Sequence, residues 1–483
     1  MNKNYYNFSE LEKINFYIIK KFIENNRNNL FLNFRNYNLE KACYKYLYFT
    51  IANSKTYYKL YSDIKNEEQK KFYILENYEL KLLAKELLDY LNIKNILLLN
   101  KKNLCTNIIF IIKYFLIILL SFFFKLKKNN EKKILCILNH KKFKDKFYFL
   151  LSEIKIKKKF ITQKNLISTF IKKKINLNLK IYFKDILKQK KFIFMHKIYL
   201  KTFIYDTLIT SETPLFIIFF EGDATDHEIC CEISKSINIE SICVQWGGVI
   251  FNTPKASFQN SGYSKLLVWG NNYKILFKKY NKNVDVKIIG NPFIKYQKNK
   301  KRKNILFLLP QKTHLINNDL LKKFLDLIIW SLKFGKNKVF IRTHPQDNSN
   351  RYLIKIFKRN KIRIYDSNKI SLSKNLANIK LLVTLSSGAL IEAGRLGIIT
   401  LMIAPSKNIK YNISIEKLKK KFLINLLSEN LDQVKNTITN VMLGKNDINN
   451  ISKQIKKIFL NEISFINKKA LNNFNKSIKK FIK

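Results

Sequence analysis

The apolar positions of this chain follow two rhythms. Over residues 1–100 they recur at mixed helical spacings among Tyr, Lys and Asn, so the segment reads as helical, without a chemical motif. From residue 133 short apolar runs alternate with amphipathic stretches, the pattern of a mostly parallel α/β sheet. Strands are predicted at 133–138, 215–220, 241–245, 266–269 and 286–289, with helices over 226–237 and near 271–279. A polar, basic run at 295–304 separates this series from a second. There, strands are predicted at 305–309, 338–341, 362–365, 381–385 and 398–403, and helices over 318–333, 348–359, 371–378 and 389–396. Residues 141–200 show no clear pattern, and the tail from 414 reads as helical and lysine-rich. The expected fold is α/β, with two Rossmann-like domains facing a cleft. A helical extension (1–130) precedes an N-terminal domain (131–294), a C-terminal domain (295–413) and a helical tail (414–483).

Residues 108–124 break both rhythms with seventeen mostly apolar residues, interrupted by Lys113 and followed by Lys125-Leu126-Lys127-Lys128. This length is at the lower limit for a bilayer span, and a central lysine is costly there. A basic-flanked helix lying in the membrane interface is the preferred reading; a true span and a buried core helix are the alternatives. The first residues lack the apolar core and cleavage site of a secretory signal.

Composition changes this picture in three ways. At 483 residues the chain is too long for one compact core, and 47% hydrophobic content suffices for several. The formal charge of +57 suits a polyanion or an anionic membrane face. Only eight of the 91 basic residues are Arg, however, and Asn and Ile are abundant. That mix favours a solvated lysine surface set by AT-rich coding sequence, then attraction to the inner-membrane surface; nucleic acid is not an expected partner. The six cysteines show no metal spacing, which fits a reduced, cytoplasmic protein peripheral on the inner membrane.

The candidate chemistry sits where strands end. Arg342-Thr343-His344-Pro345 closes one strand of the second series and Ser386-Ser387-Gly388-Ala389, with Glu392 a turn later, closes another. Alternation puts residues 342 and 344 on one side. A guanidinium, an imidazole, two hydroxyls and a helix start converging at the carboxyl edge of a parallel sheet describe a phosphate pocket. The competing reading makes one serine a helix cap and Glu392 an exposed first-turn residue rather than a ribose ligand. In the first series Glu221-Gly222-Asp223 leaves a strand, and either carboxylate can take a proton from an acceptor hydroxyl, with Glu221 preferred. Asp223 or Asp226 as a helix cap is the alternative, and His227 is placed either as an assisting cleft residue or at the surface. Gln245, Gly247 and Gly248 follow the next strand, where the glycines serve either a close approach to ligand or a tight turn. Gly290-Asn291-Pro292 reads as the entry to an interdomain hinge.

Together these strings resemble the donor half of GT-B glycosyltransferases that build bacterial surface and capsular polysaccharides. The similar families are the bacterial sialyltransferases with HP and paired Ser/Thr motifs, the capsule Kdo-transferase-like proteins and the CDP-glycerol glycerophosphotransferases. Val244-Gln245-Trp246-Gly247-Gly248, Val268-Trp269-Gly270 and Ile289-Gly290-Asn291-Pro292 resemble strings of the other half, so the likeness spans residues 190–405. It implies a CMP-, CDP- or UDP-linked donor on the C-terminal half and a glycan or lipid-linked acceptor on the N-terminal half. It also implies that His344 contacts the donor phosphate while Ser386 and Ser387 hydrogen-bond it as it leaves. The related sialyltransferases place a paired acid before the glycine; here Phe220 precedes Glu221. No Asp-x-Asp string occurs in either half, so a metal-independent transferase without cofactor is expected. The other readings are a UDP-N-acetylglucosamine 2-epimerase-like enzyme and a non-catalytic polyanion- or membrane-binding protein.

Overall fold

The computed structural model describes residues 8–34, 36–65, 67, 70–100, 131–138, 143–162, 192–222, 224–250, 258–259, 261–295, 302–310, 318–344, 354, 357–359, 361–366, 371–385, 387–403, 411–422, 431–444 and 447–482. The apolar run 108–124 lies outside them. Among the described residues no helix is long and apolar enough to cross a membrane.

The N-terminal layer comprises α1 (Phe8–Asn25), α2 (Arg27–Leu30), the antiparallel pair β1 (Asn33–Phe34) and β2 (Tyr37–Asn38), α3 (Glu40–Ala52) and α4 (Lys55–Lys65). A small parallel unit follows: β3 (Phe72–Leu75), α5 (Tyr78–Tyr90) and β4 (Leu97–Asn100). The expectation of helix alone is corrected by these strands, whose four-residue runs are too short to impose a period of two. Asn77 caps α5 by accepting from the Leu80 amide at 2.8 Å.

The first large sheet takes in β5 (Lys133–Leu138), β6 (Lys157–Thr162), β7 (Phe216–Phe220), β8 (Glu240–Val244), β9 (Lys265–Val268) and β10 (Asp285–Ile288). Helices α6 (Phe143–Leu150), α7 (Ile193–Glu212), α8 (Thr225–Ser236) and α9 (Asn271–Tyr280) connect them. All pairs are parallel, in the order β6-β5-β7-β8-β9-β10. Strand β6 sits at the edge, where its lysines Lys157, Lys158 and Lys159 are tolerated and where they blur any apolar pattern. Helix α7 has apolar residues on every side, with Lys201 and Asp206 among them, and packs on α8 and α3. Lys45 of α3 is buried, donates to the Gln259 carbonyl at 3.1 Å and lies 3.5 Å from Glu228 of α8. The N-terminal layer thus shares its core with the first sheet.

The second sheet is built from β11 (Asn304–Leu308), β12 (Val339–Arg342), β13 (Arg363–Tyr365), β14 (Ile379–Thr384) and β15 (Ile399–Met402). Its connections include α10 (Asn318–Ser331), α11 (Leu372–Leu376) and α12 (Ala389–Arg395). The order is β13-β12-β11-β14-β15, again all parallel. In each sheet the winding reverses beside the first strand, between β5 and β7 and between β11 and β14. Ligands of doubly wound sheets bind outside the carboxyl ends at such points. Glu221 leaves β7 and the serine string leaves β14, so topology puts both at a reversal.

The tail holds α13 (Ile413–Phe422), α14 (Leu431–Leu443), α15 (Ile448–Ile458) and α16 (Asn467–Lys479). Helix α15 packs on α12 and β15, whereas Leu471, Phe474 and Ile478 of α16 are buried with Phe216 and Ile218 of the first sheet. Between them the chain crosses from one domain to the other. Arg395 donates to the Ile463 carbonyl at 2.6 Å, Ser464 to the Trp269 carbonyl at 3.0 Å and Asn291 to the Phe465 carbonyl at 2.8 Å. Gly290, expected at a hinge beside the cleft, is instead pressed against Phe465 of this crossing, where no side chain fits.

Candidate active site

The two sheets meet at their carboxyl edges, and two glycines make the closest approach. A Cβ built on Gly388, just before α12, would lie 2.5 Å from the carbonyl oxygen of Gly248, and one built on Gly248 would lie 2.8 Å from that of Gly388. Gly248 therefore serves backbone contact with the opposite domain. Asn412 reinforces the seam by donating to the carbonyls of Val249, at 2.7 Å from its side chain, and Ile250, at 2.8 Å from its amide. Ser373 of α11 donates to the Phe293 carbonyl at 3.1 Å.

Beside this seam lies a charged cluster drawn from both halves. Lys146 of α6 places its ammonium 4.0 Å from the Trp246 ring centroid and 4.5 Å from that of Phe293, within cation–π range. Phe143 and Phe220 complete the aromatic wall, with ring centroids 4.4 and 5.4 Å from Trp246. Phe220 is thereby explained: it fills the wall that carries the lysine. Across the cleft, burial pushes the Glu392 carboxyl above its ordinary pKa, and the nearby charges of Lys146 and Arg342 draw it back. Arg342, at the end of β12, is lowered to about 10 by burial against the pull of Glu392 and Asp366, so it stays cationic at neutral pH. Its guanidinium also donates to the Asn375 side-chain oxygen. His344 follows, half-buried, two residues beyond the strand end.

The cap position of α12 is held by Gly388, which has no side chain to cap with; Ser387, one residue earlier, accepts at its hydroxyl oxygen from the Ala389 amide at 3.3 Å. Helix α12 has only seven residues. Its dipole is correspondingly small, and most of the attraction for an anion falls to the charges of Arg342 and Lys146. Ser386, Pro345 and Asp223 lie outside the described residues.

Glu221 is held in an uncommon backbone state. Its φ is +72°, that of Gly222 is +70°, and the Gly222 amide donates to the Phe220 carbonyl at 2.9 Å. This is a γ-turn of the strained, positive-φ kind, which clusters at functional sites. Gly222 tolerates no side chain, because a Cβ would come within 2.6 Å of the Cys243 sulfur and 2.8 Å of the Tyr263 ring. Two expected cleft residues have other work. His227 is fully buried, its ring stacked on Phe219 at 4.5 Å, and burial holds its pKa near 3, so it is neutral and away from the cleft. Gln245 supports its loop by donating to the Gly247 carbonyl at 2.9 Å and accepting from the Trp269 amide at 2.8 Å. Gly247 is open: nothing lies within 4 Å of a Cβ built on it. Asp226 pairs with Lys201 at 2.6 Å and Tyr205 at 2.9 Å, binding α8 to α7.

The sequence reading missed Lys146 and Asn375. A signal for Lys146 exists: Phe143, Phe147 and Leu150 form an apolar stripe on α6, and residue 146 falls on that stripe. A lysine there is either buried against a partner or aimed along the apolar surface at something beyond it.

Two doubly wound parallel domains, joined at their strand exits and sharing a charged cleft, make this a GT-B-like α/β protein. No protein-family model matches the sequence, and no curated protein matches it. Solved structures with a similar course include S. aureus MnaA in a co-structure with UDP, at 12% identity over 73% of this chain and 97% of that one, with a TM-score of 0.47. The UDP-GlcNAc 2-epimerase of Neisseria meningitidis bound to UDP-GlcNAc has 12% identity over 72% and 99%, with a TM-score of 0.45. The apo form of the lipopolysaccharide outer core galactosyltransferase WaaB has 12% identity over 72% and 99%, with a TM-score of 0.40. The fold assignment rests on the strand order and the seam described above.

Proposed function

We propose that this chain is a metal-independent glycosyltransferase of surface-polysaccharide synthesis. It would move a sugar, sugar acid or polyol phosphate from a CMP-, CDP- or UDP-linked donor to a glycan or lipid-linked acceptor. The observation that carries this reading is the charged cluster spanning both halves, with Arg342 and Glu392 on one side and Lys146 on the other, near the strained carboxylate turn at Glu221 and the strand exit that carries His344. For a sugar or sugar acid, an acceptor hydroxyl oxygen bonds to the donor carbon as the bond from that carbon to the leaving phosphate breaks. For a polyol phosphate, it bonds to the phosphorus that carries the polyol as the bond from that phosphorus to the leaving nucleoside monophosphate breaks. In either case the hydroxyl proton passes to the Glu221 carboxylate. The charge left on the phosphate meets fixed cations instead of water, which stabilises the transition state. The lack of an Asp-x-Asp string in either half supports a role for these cations where other transferases use a metal.

The test is thermal stabilisation by CMP, CDP, UDP and GDP. A nucleotide present at a hundred times its Kd adds about 2.7 kcal/mol, or roughly 5 °C or more in melting temperature for a domain of this size. One of the four is expected to do so, and His344→Ala and Lys146→Met each to reduce the shift. If none acts at millimolar concentration, the donor-site reading fails. Incubation with a matching sugar nucleotide then separates chemistries: a C2 epimer formed without acceptor would place the chain among epimerases instead.

A further inference from the structure

Among the described residues the small sheet β3–β4 is covered on one face only. Its register pairs Phe72 with Leu97 and Ile74 with Leu99, and alternation sends these four side chains to one side and Tyr73, Leu75 and Leu98 to the other. The second set is buried against α4 and α5. The first set is exposed: Phe72 by 54%, Leu97 by 59%, Ile74 by 44% and Leu99 by 41%. Parallel strands ordinarily have both faces covered. Four large apolar side chains contiguous on one face form a patch of the kind that marks an interaction site, unlike apolar residues scattered singly over a surface.

The end of this sheet where both strands begin carries more lysine than acid, with Glu67 and Asp89 as exposed acids. Lys70 and Lys71 precede β3 and Lys94 precedes β4, and because the strands are parallel all three lie at the same end of the pair, exposed. Beyond β4 the sequence runs on through Lys101-Lys102 toward the apolar run 108–124. We propose that the outer face of β3–β4 docks on an anionic phospholipid surface. Apolar side chains enter the interface while lysines meet headgroup charge, the combination that holds peripheral proteins on membranes. A second copy of the chain is the poorer occupant. Face-to-face pairing would bring the same lysines, and two chains of net charge +57, against one another. The inference stands apart from the nucleotide reading, since it concerns a face in the N-terminal layer and no residue of the cleft.

The experiment is co-sedimentation of the full chain with vesicles of phosphatidylglycerol and phosphatidylcholine, with pure phosphatidylcholine as control. The variants are Phe72→Ser with Leu97→Ser, and separately Ile74→Ser with Leu99→Ser. These positions are exposed, so circular dichroism and the melting temperature should match those of the wild type. Wild type is expected to pellet with the anionic vesicles, and each double variant to partition about tenfold more weakly. Phe72→Trp should retain binding, with its added emission quenched by lipid brominated near the headgroup. Unchanged binding by both double variants, or bound Phe72→Trp without that quenching, would overturn the proposal. So would a wild type that ignores anionic vesicles, or one that sediments as a dimer which the double variants dissolve.

Discussion

Glu221 combines a carboxylate at a winding reversal with a backbone state that side chains rarely adopt. A non-glycine residue in such a region costs about 1–3 kcal/mol, which the surrounding structure must hold in place. Glu221→Gly should therefore raise stability, by up to about 1 kcal/mol in a urea titration, while abolishing turnover. Glu221→Gln should lower kcat by about 10²–10⁴ and leave nucleotide affinity unchanged, as expected of a general base that acts on the acceptor. His227 gives the opposite kind of forecast, one about folding. The unfolded chain takes up a proton as pH falls through about 6.5, while the folded imidazole resists until about 3. Below the unfolded value the unfolded state binds more protons, so this residue makes stability fall as pH falls, by up to about 1.4 kcal/mol per pH unit. His227→Phe, which keeps the stack on Phe219, should flatten that part of the profile between pH 6 and 4. Arg342, His344 and Ser387 were legible at this scale because their chemistry and their place after a strand were written together. Lys146 was not, because a lysine among so many lysines carries no signal until a helix face is drawn around it.

At the scale of elements, the serine string matters less as a helix terminus than as the place where two backbones touch. Helix α12 is too short to bring much dipole, but the residue before it packs directly on Gly248. Gly388→Ala has no backbone torsion to fear and an opposite backbone it cannot displace, so overpacking of about 1–3 kcal/mol is expected. The melting temperature should fall and, on the proposed donor site, nucleotide affinity with it, since the charged cluster spans the seam. Most strands and helices of both sheets were readable to within a residue or two, because continuous apolar runs of five or six bounded by polar turns admit few alternatives. The exceptions have separate causes: β6 is an edge strand of lysines, β3 and β4 are only four residues long, and α6 and α7 lie in or beside the stretch 141–200, where lysines interrupt the apolar spacing.

At the scale of the whole molecule, the tail couples the domains. It leaves the second domain with α15 and ends as α16 on the first, and Arg395 holds the crossing through the Ile463 carbonyl. Arg395→Met would leave buried carbonyls without a donor, at about 1–3 kcal/mol. The expected outcome in calorimetry is a single transition in the wild type and a broadened or split one in the variant, as the two domains melt less as one.

Over the two large sheets the sequence by itself determined most classes of element, their order, the division into two wound series and the chemical character of the strand exits. These follow from local periodicity and residue type, which do not depend on what lies opposite. Only the tertiary structure decided which groups share a space. It set Lys146 against Glu392 and Arg342, gave Gly248 and Gly388 to each other, withdrew His227 into the core and turned Gly290 toward the tail. Most of these pairings join residues more than a hundred positions apart, and no local pattern records them, because the cost of burying or apposing a group is set by the partner that folding brings to it.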